Sequence, residues 1–203
     1  MSNTAQLSDY EKRGESPHAA TRTGRWIRLA PLTPSDHDFL YALTTDEEVG
    51  FRWRFGGSVP ARPAFEQMIW TSVLTQFIVI GRADNTPIGH IHAYNADLPS
   101  GIAYVGQIMT PHAQGTGVGA EAFDVFATYL FRVYPLRKIY LEVPEYNLST
   151  IVGAGSGILK EEGRLIDHSH YDGRTWDRII LALHRSDFES LKRTATGRIQ
   201  PSS

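Results

Sequence analysis

Along residues 118–133, the apolar positions Val118, Ala122, Val125, Phe126, Tyr129, Leu130 and Val133 recur at intervals of three and four. That spacing marks one face of an amphipathic helix, and Pro135 ends it. Upstream the period shortens. Residues 77–82 and 88–95 flank the turn-forming Ala83-Asp84-Asn85-Thr86-Pro87 and predict a β-hairpin, with a further strand over 102–109. Downstream, residues 138–143 read as a strand closed by Pro144, and residues 163–168 and 176–183 frame a last hairpin around Tyr171-Asp172-Gly173-Arg174. Near the start, residues 25–31 predict a strand and Thr33-Pro34-Ser35-Asp36 a helix start. There Thr33 can cap, Pro34 suits the first helical position and Asp36 faces the helix dipole. Phe39, Leu40 and Leu43 give that helix its apolar side. A second helix is expected over 63–73, with Phe65, Met68, Ile69 and Val73 on one face. A short helix over 147–157 is weakened by three glycines, and residues 186–192 add a terminal turn or helix. No internal repeat is present. The sum is an α+β fold: a mixed, mostly antiparallel sheet with one central strand–turn–helix–strand crossover.

Composition narrows the function. At 203 residues the chain is expected to form one domain over 25–193, with a disordered tail at 1–24 and a flexible one at 194–203. A net charge of −2 supplies no basic footprint for nucleic acid. No apolar run has the length of a membrane helix, and the opening residues lack the layout of a signal peptide. A cytoplasmic location without a membrane partner fits. Cysteine is absent, which removes disulfides, thiolate zinc sites and cysteine-linked intermediates.

The chemistry concentrates at Gln114-Gly115-Thr116-Gly117-Val118-Gly119-Ala120, between a strand and the strongest helix. Unpaired N–H groups at a helix start, with the positive end of its dipole, bind anions such as phosphate. Alternating glycines let a ligand approach the backbone and tolerate positive φ. The alternative is a plain strand–helix turn. A Walker loop needs Lys followed by Ser or Thr, whereas Gly119 is followed by Ala120 and Glu121. A dinucleotide fingerprint is formally met by Gly115, Gly117 and Ala120, with Glu142 near the end of the next strand, so a nicotinamide-dependent oxidoreductase is a competing reading. Against it, Thr110-Pro111-His112-Ala113-Gln114 intervenes after the strand, and the upstream strands read as hairpins.

The segment 114–120 resembles the Q/R-x-x-G-x-G/A pyrophosphate loop of the GNAT superfamily of acyl-CoA-dependent N-acyltransferases. The opening residues 28–36, Ile88-Gly89-His90-Ile91, Val143 with Asn147, and Asp172-Gly173-Arg174-Thr175-Trp176-Asp177 are similar to its ribosomal-protein-alanine and spermidine acetyltransferase branch, over residues 25–185. The resemblance implies acetyl-CoA or another acyl-CoA as co-substrate, with no metal. The pantetheine arm would pair with the backbone of Ile108, Met109 and Thr110. The diphosphate would sit on Gln114, Gly115, Thr116, Gly117, Val118, Gly119 and Ala120, with Asn147 beside the cofactor. It further implies an amine acceptor, on a small molecule or a peptide, acylated by direct attack in a ternary complex. A longer acyl-CoA or carrier-protein thioester, and a non-catalytic acyl-CoA sensor, are the alternatives within the fold. A homodimer is compatible.

An N–H near Met109 would be the oxyanion donor. Candidates for the base are His90 and His92, which share a strand face with Tyr94, and Glu142. The tyrosine that relatives carry as acid falls at Gly153 or Ala154 here, leaving Ser156 as the nearest hydroxyl. The pairs His90/His92 and His168/His170 also have metal-ligand spacing, without a supporting carboxylate motif. By family position Arg52, Trp53 and Arg54 should line the acceptor mouth; alternatively the aromatics of 51–55 are core and the arginines surface.

Overall fold

The helix-start signal at Thr33 is realised as a local cap. The Asp36 carboxylate accepts from the Thr33 N–H at 2.8 Å and from its hydroxyl at 2.7 Å. A 3-10 turn, Pro34–Asp36, then leads into α1, His37–Thr45, whose Leu40 and Leu43 are buried. The computed structural model describes residues 22–152 and 157–197. Their strands are β1 (Ile27–Pro31), β2 (Val73–Gly81), β3 (Pro87–Asp97), β4 (Ile102–Met109), β5 (Lys138–Pro144), β6 (Leu159–Tyr171) and β7 (Arg174–His184). Besides α1, the helices are α2 (Arg62–Met68), α3 (Val118–Val133), α4 (Leu148–Val152) and α5 (Arg185–Gly197). Of the expected tails at 1–24 and 194–203, residues 1–21 and 198–203 lie outside the described residues, as do Gly153, Ala154 and Ser156.

The strands form one sheet ordered β1-β2-β3-β4-β5-β7-β6, antiparallel throughout except for the parallel pair β4–β5. A parallel pair needs a crossover, and α3 supplies it. One face of the sheet carries Phe77, Val79, Ile91, Ala103, Val105 and Ile139 against Ala122, Val125, Phe126 and Leu130 of α3. The other packs Ile78 and Ile80 under Leu40 of α1 and Phe65 and Ile69 from α2 and its end. The hairpin β6–β7 closes through Asp172 and Gly173, both at positive φ (53° and 71°), the geometry that favours an Asp-Gly pair. β6 is the sheet's rim. Its side chains are mostly exposed, Ile166 by 68%, and its pairing is interrupted between Leu165 and Ser169, where Asp167 takes φ 51°.

Two expectations need correction. The second helix stops at Met68, which is exposed, and Val73 opens β2 instead of closing the helical face. Ser72 adopts a left-handed φ of 58°, and the Arg54 guanidinium donates to the carbonyls of Ile69 (3.4 Å) and Thr71 (2.7 Å). Arg54 thereby satisfies carbonyls that the ended helix leaves over. At the C-terminus, α5 continues to Gly197, past the expected tail boundary at Thr194.

Phe126 is wholly buried and meets Phe77 edge-on at 6.0 Å. Phe126→Ala is expected to lower the unfolding free energy by about 3–5 kcal/mol, read as a fall in the urea midpoint with an unchanged m-value.

Candidate active site

β4 and β5 pair only at Ile102↔Lys138, Ala103↔Ile139 and Tyr104↔Tyr140. Beyond Tyr104 the two strands part, although each keeps its other neighbour. β4 stays on β3 up to Gly89↔Met109, and β5 stays on β7 up to Pro144↔Arg178. The sheet therefore opens into a fork with strand edges on both sides. The Thr110 N–H is engaged by the Ile88 carbonyl at 2.9 Å, and the Thr110 carbonyl accepts from Ala113 at 3.0 Å. Backbone groups alternate in direction along a strand, so Met109 and Gln107 turn theirs toward β5 and into the fork, while Ile108 and Thr110 face β3. Of the three residues expected to meet an amide-rich arm, Met109 alone presents its backbone to the opening.

The glycine segment lies at the fork's mouth. A 3-10 turn, Pro111–Ala113, leads into it, and Thr116 Oγ1 fastens back to the Ala113 carbonyl at 2.7 Å. Gly115 and Gly117 have φ of 71° and 88°, and a Cβ at either would meet nothing within 4 Å. Gly119 differs: a Cβ there would lie 3.0 Å from Gln107 Nε2, which donates to the Gly119 carbonyl at 3.0 Å. This glycine seats the helix against β4. Gly117 is the N-cap of α3 and gives no side-chain cap, so Val118, Gly119 and Ala120 enter the helix with N–H groups that have no intrahelical acceptor. An open-sided backbone turn at the positive end of a 16-residue helix fits a diphosphate. Gln114 Nε2 approaches the Met109 carbonyl at 3.5 Å, and Asn147 is buried in the 3-10 turn Glu145–Asn147 on the fork's opposite side.

On the sheet face away from α3, His90, His92 and Tyr94 form a stack along β3 with ring centroids 5.2 Å apart. Gly106 makes room for it, since a Cβ there would lie 2.5 Å from the His92 ring. Trp53 covers both histidines edge-on, at 5.3 and 5.9 Å. His90 and His92 are 1% and 3% exposed, and His90 Nε2 is paired with Gln76 Oε1 at 3.0 Å. Burial, then the His92 and Arg54 charges, holds His90 well below the usual imidazole range; burial and Arg54 bring His92 down to about 3. Both imidazoles are neutral at pH 7 and weak proton acceptors. Segment 51–55 is a 3-10 turn and loop in which Trp53 is core, Arg54 holds backbone carbonyls and Arg52 is exposed.

Glu142 stands on the same face, at the fork's edge. Arg178 Nη1 lies 3.5 Å from its carboxylate, and Arg178 Nε donates to Ser169 Oγ at 3.2 Å. Beside them Phe51 stacks on Tyr171 at 4.0 Å, and Tyr146 meets Tyr171 at 5.0 Å and Trp176 at 5.4 Å. Sequence reasoning missed Tyr146 and Arg178. Tyr146 immediately precedes Asn147 and was visible there, but Arg178 reaches Glu142 only through the β5–β7 register. Among the described residues no group of three or more His, Asp or Glu side chains lies where a metal ion would be shared. No helix there is long and apolar enough to cross a membrane.

A sheet forked beside an uncapped, glycine-started helix is the architecture of an acyl-CoA-dependent acyltransferase. The acetyltransferase (GNAT) domain model matches residues 27–151, and the chain belongs to that family of N-acetyltransferases. A crystal structure of spermidine N-acetyltransferase from Vibrio cholerae with CoA and spermine superposes with TM-score 0.69 at 21% identity, over 82% of this chain and 99% of that one. A dodecameric structure of the Vibrio enzyme gives 0.67 at 21%, over 81% and 97%. A GCN5-related N-acetyltransferase from Brucella melitensis gives 0.67 at 25%, over 88% and 85%. No curated protein sequence matches the chain. With one parallel pair among the seven strands of the described residues, the glycine segment does not belong to a doubly wound sheet, and the nicotinamide reading loses its structural ground.

The buried histidines make stability depend on pH. Their folded pKa values lie below the unfolded value near 6.5, so below that pH the unfolded chain binds protons that the folded chain refuses. Stability present above about pH 6.5 is therefore lost as pH falls, for His92 down to about pH 3. His92→Phe should make the decline of the urea midpoint between pH 7 and 4 measurably shallower than in the parent.

Proposed function

We propose that this protein transfers an acetyl group from acetyl-CoA to the primary amine of a small molecule or peptide within a ternary complex. The observation that carries this reading is the end of β4–β5 pairing at Tyr104, which leaves the β4 edge open as far as Met109, where Gln107 holds the uncapped start of α3. When bound, acetyl-CoA supplies an acyl carbon activated as a thioester. The chain supplies the rest. Residues 114–120 hold the diphosphate through backbone N–H groups, and the free edge of β4 at Gln107 and Met109 pairs with the amide arm as an added strand would. One backbone N–H of this edge, near Met109, donates to the thioester carbonyl oxygen as negative charge grows on it, and the remaining groups of the edge hold the arm.

The amine must lose its ammonium proton before it attacks. Glu142, partly exposed at the fork, accepts that proton directly or through water and passes it to solvent. His90 and His92 are shielded by Trp53 and hold the stack that ends in Tyr94, a positioning role. The C–N bond forms as the C–S bond breaks, and the nitrogen's remaining surplus proton neutralises the departing thiolate. A thiol's ordinary pKa of about 8.5 lies only modestly above neutrality, so the thiolate departs without a dedicated acid.

Calorimetric titration with acetyl-CoA and octanoyl-CoA, followed by thiol-release assays over an amine panel, tests the proposal. Binding without turnover of any amine would favour a sensor, and tighter binding of octanoyl-CoA a longer donor. Gly117→Val places a branched side chain at φ 88° in the open side of the loop and should raise the acetyl-CoA Kd at least about tenfold while circular dichroism is unchanged. Glu142→Gln should lower kcat about 100-fold and leave the acetyl-CoA Kd within about twofold.

A further inference from the structure

The face beside the fork has a charge and shape of its own. The charges near enough to Tyr94 and Tyr146 to influence their ionisation are Arg52, Arg54, Arg178 and Glu142: three cations and one anion. Arg54 is committed to the carbonyls of Ile69 and Thr71. Arg178 is not committed in that way. Ser169 fixes its Nε edge, and among the described residues its other polar contact is the 3.5 Å approach to Glu142, with the two side chains 31% and 30% exposed. An ion pair this exposed is worth little, so a ligand that offers each partner a better counter-charge opens it at small cost. The wall beside it is aromatic, with Phe51 stacked on Tyr171 and Tyr146 angled against both. Arg52 lies over the Phe51 ring at 5.0 Å.

We propose that the Arg178–Glu142 pair is a two-point recognition site for an acceptor that carries a carboxylate next to its primary amine, seated against the Phe51–Tyr146–Tyr171 wall. Arg178 takes the carboxylate through its Nη groups, a planar donor edge matched to a planar acceptor. Glu142 takes the ammonium and thereby stands next to the proton that must leave. Amino acids and related amino-carboxylates have this chemistry. A polyamine has the opposite one: it would bring several positive charges among three guanidiniums. The inference rests on the acyl-transfer reading and deepens it.

The test compares each of three amino acids, with aromatic, aliphatic and acidic side chains, with its own amide as acceptor for acetyl-CoA, with spermidine alongside. In the preferred pair the carboxylate-bearing amine should show a kcat/KM at least about tenfold above that of the amide, carried by KM. Arg178→Gln should bring that ratio below about twofold, with acetyl-CoA affinity by calorimetry unchanged. A second measurement needs no coenzyme A. N-acetyl-phenylalanine should bind the free protein at least about fivefold tighter than its amide, and R178Q should abolish the difference. Amides or spermidine turned over as well as the amino acids, or equal binding of the acetylated acid and its amide, would overturn the proposal. Failure of acetyl-CoA to bind while the acid–amide difference persists would instead sink the acyl-transfer reading and leave the carboxylate site standing.

Discussion

Backbone amides inside a sheet are obligatory hydrogen-bonding groups, and this sheet withholds partners from them at one place. From Val105 to the end of β4, and from Leu141 along β5, the facing edges have no strand between them. Unpaired strand groups in the middle of a sheet are costly when shut away from water, so proteins keep such a gap only where water or a ligand fills it. The fork persists because each strand is anchored on its far side, β4 by β3 and β5 by β7. It points at the start of α3 because the crossover that joins the parallel pair must leave β4 at the fork's open end.

The two faces of the sheet divide the work. On one, the apolar stripe of α3 packs against the sheet core, and Gly119 brings the helix start within contact of Gln107 and Met109. The glycine loop is thus fixed to the strand it follows. On the other face, Trp53 and the histidine stack form a packed aromatic floor beside the fork. Neutral imidazoles suit a floor, because burial removes their charge and leaves flat rings to stack.

Local signals were legible in the sequence, and tertiary ones were not. The α3 stripe, the Thr33–Asp36 cap and the Asp172–Gly173 turn each depend on residues a few positions apart, and all three appear where the pattern placed them. Val73 misled because its spacing from Ile69 suits a helical face, while the chain leaves the helix at Met68 and Ser72 turns left-handed. The end of β4–β5 pairing is not legible in the residues themselves, since none in 105–109 forbids pairing with β5. Arg178 was invisible for a similar reason: it lies 36 positions from Glu142 in sequence and one strand away in space. The arginines of 51–55 were assigned together by family position, yet Arg52 faces solvent and Arg54 braces the end of α2.

The irregularity in β6 has a further consequence, for colloidal behaviour. A rim strand of thirteen residues with Ile166 outward is a template on which other chains can polymerise. The left-handed Asp167, held by the Thr175 hydroxyl at 2.6 Å and donating its own N–H to Asp177 at 3.1 Å, kinks that template near its middle. A β-branched residue at this position would favour a straight strand, trading a local defect for a continuous sticky margin.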